Sequence, residues 1–73
     1  MKHYETFILK KEFITLGQLV KACGFIASGG DAKSYLIEHP AKINHITKST
    51  RKTKVVDGDL VEIESTIYKI THD

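Results

Sequence analysis

With 73 residues the chain has room for one domain and one small core, which at this size covers only about 60% of the surface that the unfolded chain exposes. Hydrophobic residues at 41% and charged residues at 27% exclude an intrinsically disordered chain, and no run of about 18 apolar residues offers a membrane span. The net charge of +2 is too small to name a partner, so the distribution of charge has to do so. His39 to Val56 holds Lys42, Lys48, Arg51, Lys52 and Lys54 with no acidic residue, whereas Asp57 to Asp73 holds Asp57, Asp59, Glu62, Glu64 and Asp73 against Lys69 alone. One basic face is expected, and its natural partner is a polyanion.

Thr6 to Leu9 is rich in strand formers and is closed by Lys10 and Lys11, which predicts an edge strand. Thr15 opens a helix with a capping box, its hydroxyl accepting from Gln18 N–H while the Gln18 amide reaches back. Leu16, Leu19, Val20 and Cys23 then fall on one apolar stripe, and Gly24 suits a left-handed C-terminal cap. Ser28, Gly29, Gly30 and Asp31 are expected to open a second helix, with Ser28 as cap and Ala32, Tyr35 and Leu36 as its buried stripe. Pro40 ends that helix near Glu38 or His39.

Beyond Pro40 a short strand is expected with Ala41, Ile43 and His45 on one side and Lys42 and Asn44 on the other. Thr47 to Thr53 reads as a polar, basic loop, and Val55 and Val56 lead into a turn at Asp57 and Gly58. Leu60, Val61 and Ile63 form the next strand. Ile67, Tyr68 and Ile70 form the last, which is expected to pair with Thr6 to Leu9 and bring the termini together. The fold class is therefore α+β, with two short helices packed on a small, mainly antiparallel sheet in a single domain over residues 1–73.

This order of elements resembles the S-four RNA-binding domain, or alpha-L motif, found in ribosomal proteins, pseudouridine synthases and tyrosyl-tRNA synthetases, and most closely its short stand-alone members often labelled YaaA-like. The resemblance covers residues 15–62. It rests on Leu16, Gly17, Gln18, Leu19 and Lys21, then on Ser28, Gly29, Gly30, Ala32, Lys33 and Leu36, and then on Lys42, Ile43, Asn44, Gly58 and Asp59. It implies the alpha-L RNA-binding fold and a non-catalytic module bound to structured RNA, ribosomal or transfer, in association with the ribosome. Three positions depart from the family pattern. Gly29 stands where many members carry Arg, His45 stands where Gly commonly follows the Asn, and Ser49, Thr50 and Thr53 dilute the basic loop.

Read for chemistry, Ser28, Gly29, Gly30 and Lys33 are candidates to meet a phosphate at a helix start, where free N–H groups and a close backbone favour an anion. The bland alternative is a turn with a solvated lysine. Lys42 and Asn44 are expected to project together, the first toward phosphate and the second toward a base edge or 2′-OH, although Asn also serves its own turn. His45 is a candidate for stacking or for a phosphate contact. Lys48, Arg51, Lys52 and Lys54 are expected to form an electrostatic rim in which Arg51, with its planar fork, is the strongest single candidate. If about four to six phosphates are neutralised, affinity should fall with salt at a log-log slope of roughly −3 to −5.

The four histidines, His3, His39, His45 and His72, lack ligand spacing, so no metal is expected, and the single Cys23 excludes an intramolecular disulfide. No cofactor, small-molecule substrate or membrane partner is expected, no nucleophile-base arrangement points to an enzyme, and the location expected is cytoplasmic. Two other classes stay open on the residues alone. Gly29 and the acidic C-terminal third suit a protein-interaction module, and an electrostatic surface would equally serve a DNA-associated replication or repair accessory protein.

Overall fold

The computed structural model describes residues 2–73. Its elements in chain order are β1 (His3–Leu9), β2 (Phe13–Thr15), α1 (Leu16–Ala22), a 3-10 turn (Gly29–Asp31), α2 (Ala32–Glu38), β3 (Ala41–Ile43), β4 (Ile46–Lys48), β5 (Lys54–Val56), β6 (Leu60–Ile63) and β7 (Thr66–His72). A five-stranded sheet runs in the order β1-β7-β6-β3-β4, and β2 pairs with β5 in a separate antiparallel ribbon. Every neighbour in the large sheet is antiparallel except β1 and β7, which run parallel.

Alternation along the strands gives the large sheet one dry face. Leu9, Ala41, Ile43, Val61, Ile63 and Ile70 meet Leu16, Leu19 and Val20 of α1 and Ala32 and Leu36 of α2, with Val55 completing the buried core. The i, i+3, i+4 spacing of the α1 residues and the i, i+4 spacing of the α2 pair explain why two helices of seven residues each suffice. Phe25, Tyr35 and Tyr68 close the side of the core, the Phe25 ring lying 6.0 Å from Tyr35 and 6.2 Å, edge on, from Tyr68. The Tyr35 hydroxyl donates to the Glu64 carboxylate and so ties α2 to the end of β6.

The edge strand, the Thr15 capping box, the Gly24 cap at φ +86° and the end of α2 before Pro40 all stand where the sequence puts them. Three expectations are corrected and one strand is new. Thr47 to Thr53 is not loop throughout, because Ile46–Lys48 pairs with β3 as an edge strand. The short ribbon strand β2 was not foreseen; its partner β5 gives Ile14 a buried residue, Val55, to lie against. Because β1 and β7 run parallel, His3 lies beside Thr66 and Leu9 beside His72, so the two chain ends stand at opposite ends of the strand pair. The strand after Pro40 stops at Ile43, since Asn44 (φ 52°) and His45 (φ 72°) both adopt the left-handed conformation of a tight hairpin turn.

Candidate nucleic-acid interface

The basic segment is fastened to the start of α1. Leu16 N–H donates to the Thr53 carbonyl at 2.8 Å and Gly17 N–H donates to the Arg51 carbonyl at 2.9 Å, while Gln18 N–H donates to the Thr15 hydroxyl at 3.2 Å. The first-turn amides of α1 thus have protein partners, and the Arg51 and Thr53 main chains fill the place where an external anion would sit. Thr53 N–H donating to the Thr50 carbonyl at 3.1 Å folds the loop into a turn that presents Arg51 and Lys52 outward.

Gly17 makes this junction possible. A β-carbon there would lie 3.1 Å from the Arg51 Cβ, 3.2 Å from the Ala32 Cβ and 3.2 Å from the Arg51 carbonyl oxygen. Three segments therefore converge on one residue: the start of α1, the basic loop and the first residue of α2. Between them opens a cleft of about 260 Å³ lined by Thr15, Gly17, Gln18, Lys21, Ala32, Arg51 and Lys52. Its lining holds three cations and no carboxylate. In the sequence Lys21 stands only as part of the family pattern, with nothing local to mark it as a contact except its spacing, four residues after Gly17 on the same helix side.

The run at the start of α2 departs from expectation. Ser28 does not cap the helix: its carbonyl accepts from Asp31 N–H at 3.1 Å and its hydroxyl donates to the Asp31 carboxylate at 3.4 Å, closing the 3-10 turn. Asp31 occupies the cap position of α2 without making a side-chain cap bond. Its carboxylate already stands at the helix's positive end, where it opposes a second anion. Ser28, Gly30 and Lys33 lie outside the lining of the cleft, although Lys33 is exposed and directly follows Ala32, which lines it.

The remaining cations divide by face. Lys48 lies opposite Ala41 and so shares the helical side of the sheet, at its β4 edge. Lys42 lies opposite Glu62 on the other side of the sheet. His45 joins it there around a small hollow with Tyr4, Leu60, Glu62 and Ile67. The Glu62 carboxyl is held below its usual range chiefly by the hydrogen bond from Lys2 (2.9 Å), which outweighs the upward push of desolvation, and the positive charges of Lys2, Lys42 and His45 each add a smaller lowering. Lys54 extends over the Phe13 ring, its Nζ 4.8 Å from the centroid.

The expected pairing of Lys42 with Asn44 on one strand face is corrected as well. Asn44 belongs to the turn, its Nδ2 donating to Asp59 Oδ1 at 3.0 Å and its Oδ1 accepting from Leu60 N–H at 3.0 Å. Both ends of its amide therefore hold the β5–β6 turn, which Asp59 also fastens by accepting from Val56 N–H at 2.9 Å.

Among the described residues no group of three or more His, Cys, Asp or Glu side chains is placed to hold a metal ion, and no helix is long and apolar enough to cross a membrane. Cys23 is half-buried, and burial pushes its thiol up against the lowering effect of its hydrogen bond with Tyr68. Tyr68 is pushed up to about 12, mainly by burial and then by that hydrogen bond.

Comparison with known proteins agrees with this architecture. The model of the S4 domain family matches residues 7–71. A relative from Bacillus subtilis (strain 168), described as "Probable ribosome maturation protein RlbA", is 47% identical over 53 residues, which make up 73% of this chain and 75% of the relative. No solved structure matches the chain.

Proposed function

This chain belongs to the S4 domain family, the RNA-binding domain that its sequence resembles, and from that premise we propose that it is a non-catalytic module that grips structured RNA, ribosomal or transfer, in the course of ribosome maturation. The name of its Bacillus relative supports the ribosomal setting. The observation that carries the reading is the docking of the Arg51 main chain on Gly17, which fixes the positions from which Arg51, Lys52 and Lys21 line one cleft.

The mechanism follows from that placement. The α1 amides are occupied, so phosphates are held by side chains and not by main-chain N–H groups. Arg51 grips a phosphate with two parallel hydrogen bonds or stacks on an unpaired base, while Lys21 and Lys52 act as point charges on neighbouring phosphates. Lys33 on the α2 side and Lys48 at the β4 edge extend the contact. Ser28, Gly29 and Gly30 contribute less, because the Asp31 carboxylate at the start of α2 opposes a phosphate there. Lys42, Asn44 and His45 contribute less, the first and last because Glu62 offsets their charge and Asn44 because its amide is engaged.

The test is binding of labelled ribosomal RNA fragments and of tRNA, with a matched DNA duplex as competitor, by the wild type and by Arg51→Ala/Lys52→Ala. The reading expects RNA to be bound in preference to DNA and the double variant to lose at least tenfold in affinity with its melting unchanged. Absence of RNA binding at low salt, beside a protein partner that co-purifies stoichiometrically, contradicts it.

A further inference from the structure

The outer edge of the large sheet is formed by β1, and its hydrogen-bonding pattern follows from two contacts. His3 N–H donates to the Ser65 carbonyl at 2.8 Å and the Leu9 carbonyl accepts from Asp73 N–H at 3.0 Å. In the unbroken parallel register from His3↔Thr66 to Leu9↔His72, the main-chain groups of His3, Glu5, Phe7 and Leu9 therefore face β7. Those of Tyr4, Thr6 and Ile8 face outward, where no strand stands among the described residues. The side chains of the same three residues lie on the sheet face away from the helices, with Tyr4 73% and Ile8 51% exposed.

Edge strands are usually blunted by a proline, a bulge, shortness or charged side chains. β1 has seven residues, an uninterrupted register and no proline, and its one acidic residue, Glu5, lies on the helical side, away from Tyr4 and Ile8.

We propose that β1 pairs with β1 of a second copy of this chain, antiparallel about a two-fold axis at Thr6, joining two five-stranded sheets into one. Thr6 is the midpoint of His3–Leu9 and is also an outward-facing residue, so a two-fold axis there places Thr6 opposite Thr6 and Tyr4 opposite Ile8, twice. Each of these opposed pairs exchanges two main-chain hydrogen bonds, and each Tyr4–Ile8 pair covers an aromatic and a β-branched side chain that are otherwise open to water. A shift of one residue turns the facing amides away from each other, and a shift of two breaks the Tyr4–Ile8 match.

Charge does not forbid this register. It brings Lys2 opposite Lys10 of the second copy, a repulsive meeting if both were unpaired. Each already holds its own carboxylate, Lys2 with Glu62 at 2.9 Å and Lys10 with Asp73 at 2.8 Å. The cleft cations Lys21, Arg51 and Lys52 are not on β1, so this pairing stands independently of RNA binding.

Sedimentation across a micromolar-to-millimolar dilution series tests the proposal. The wild type is expected to rise from the 8.2 kDa of one chain to twice that mass. Thr6→Pro removes an outward N–H and no bond to β7, so it is expected to stay at single-chain mass with its circular dichroism intact. Tyr4→Lys/Ile8→Lys changes only exposed side chains, is expected to do the same, and decides the matter if the proline variant fails to fold. Arg51→Ala is expected to dimerise like the wild type. A wild type that remains at single-chain mass to millimolar concentration, or a dimer that survives the Tyr4→Lys/Ile8→Lys change, overturns the proposal.

Discussion

Gly17 and Arg51 are joined through their main chains, the Gly17 amide donating to the Arg51 carbonyl at 2.9 Å, so closely that a β-carbon on the glycine would lie 3.1 Å from the Arg51 Cβ. This contact turns a run of basic residues into a fixed display, because the loop's backbone takes its position from a helix and only its side chains remain free.

Gly17→Ala separates folding from binding. The added methyl would lie 3.1 Å from the Arg51 Cβ, tight enough to push the exposed loop by a few tenths of an ångström. Alanine also favours the helix by about 1 kcal/mol, which offsets the crowding. The melting temperature is therefore expected to change little while RNA affinity falls. Gly17→Val needs a larger displacement and is expected to lose about 2 kcal/mol, measured by urea denaturation.

Asn44 is expected to behave as a structural residue. Asn44→Ala removes a bond to Asp59 and one to Leu60 and places alanine at φ 52°. A loss of about 2 kcal/mol in denaturant unfolding is expected, with RNA affinity of the folded fraction within twofold of wild type. A large affinity loss without destabilisation would return Asn44 to the interface.

Glu62 links charge to stability in acid. Its carboxyl is held below the usual value of 4.5, chiefly by Lys2. A carboxylate with a lowered folded pKa contributes stability above the unfolded value and loses it as pH falls through the folded one. Lys2→Ala is expected to raise the Glu62 titration midpoint in an NMR pH series and to shrink this acid-dependent part of stability.

At the alkaline end Tyr68 sets the opposite slope. With its hydroxyl pushed from 10.0 up to about 12, the folded state keeps a proton that the unfolded state releases. Stability is therefore full below pH 10 and falls as pH rises toward 12. Tyr68→Phe is expected to flatten that fall in alkaline melting curves, although Tyr35, also raised by burial and by its bond to Glu64, preserves part of it.

Local rules were enough to read much of this molecule. The Thr15 capping box, the Leu16–Leu19–Val20 stripe, the Gly24 cap and the stop before Pro40 each depend on residues within a few positions of one another, and the basic segment is visible as composition. What the sequence did not disclose depends on partners far along the chain. β2 exists because β5 lies beside it, about 40 residues later. The parallel direction of β1 depends on how the whole sheet is ordered. Asn44 looked like a ligand contact because Asp59, which holds it, is 15 residues away. In the same way the cleft joins Lys21 to Arg51 across 30 positions, and only the Gly17 junction brings them together.

The most direct test of the RNA-gripping cleft is the salt dependence of binding. The wild type is expected to show a log-log slope of roughly −3 to −5 with structured RNA, and Lys21→Ala, Arg51→Ala and Lys52→Ala are each expected to reduce its magnitude by about 1. Lys54→Ala, whose ammonium rests on the Phe13 ring, serves as the control and should leave the slope unchanged. A wild-type affinity independent of salt, or a triple cleft variant that keeps the wild-type slope, would contradict the account.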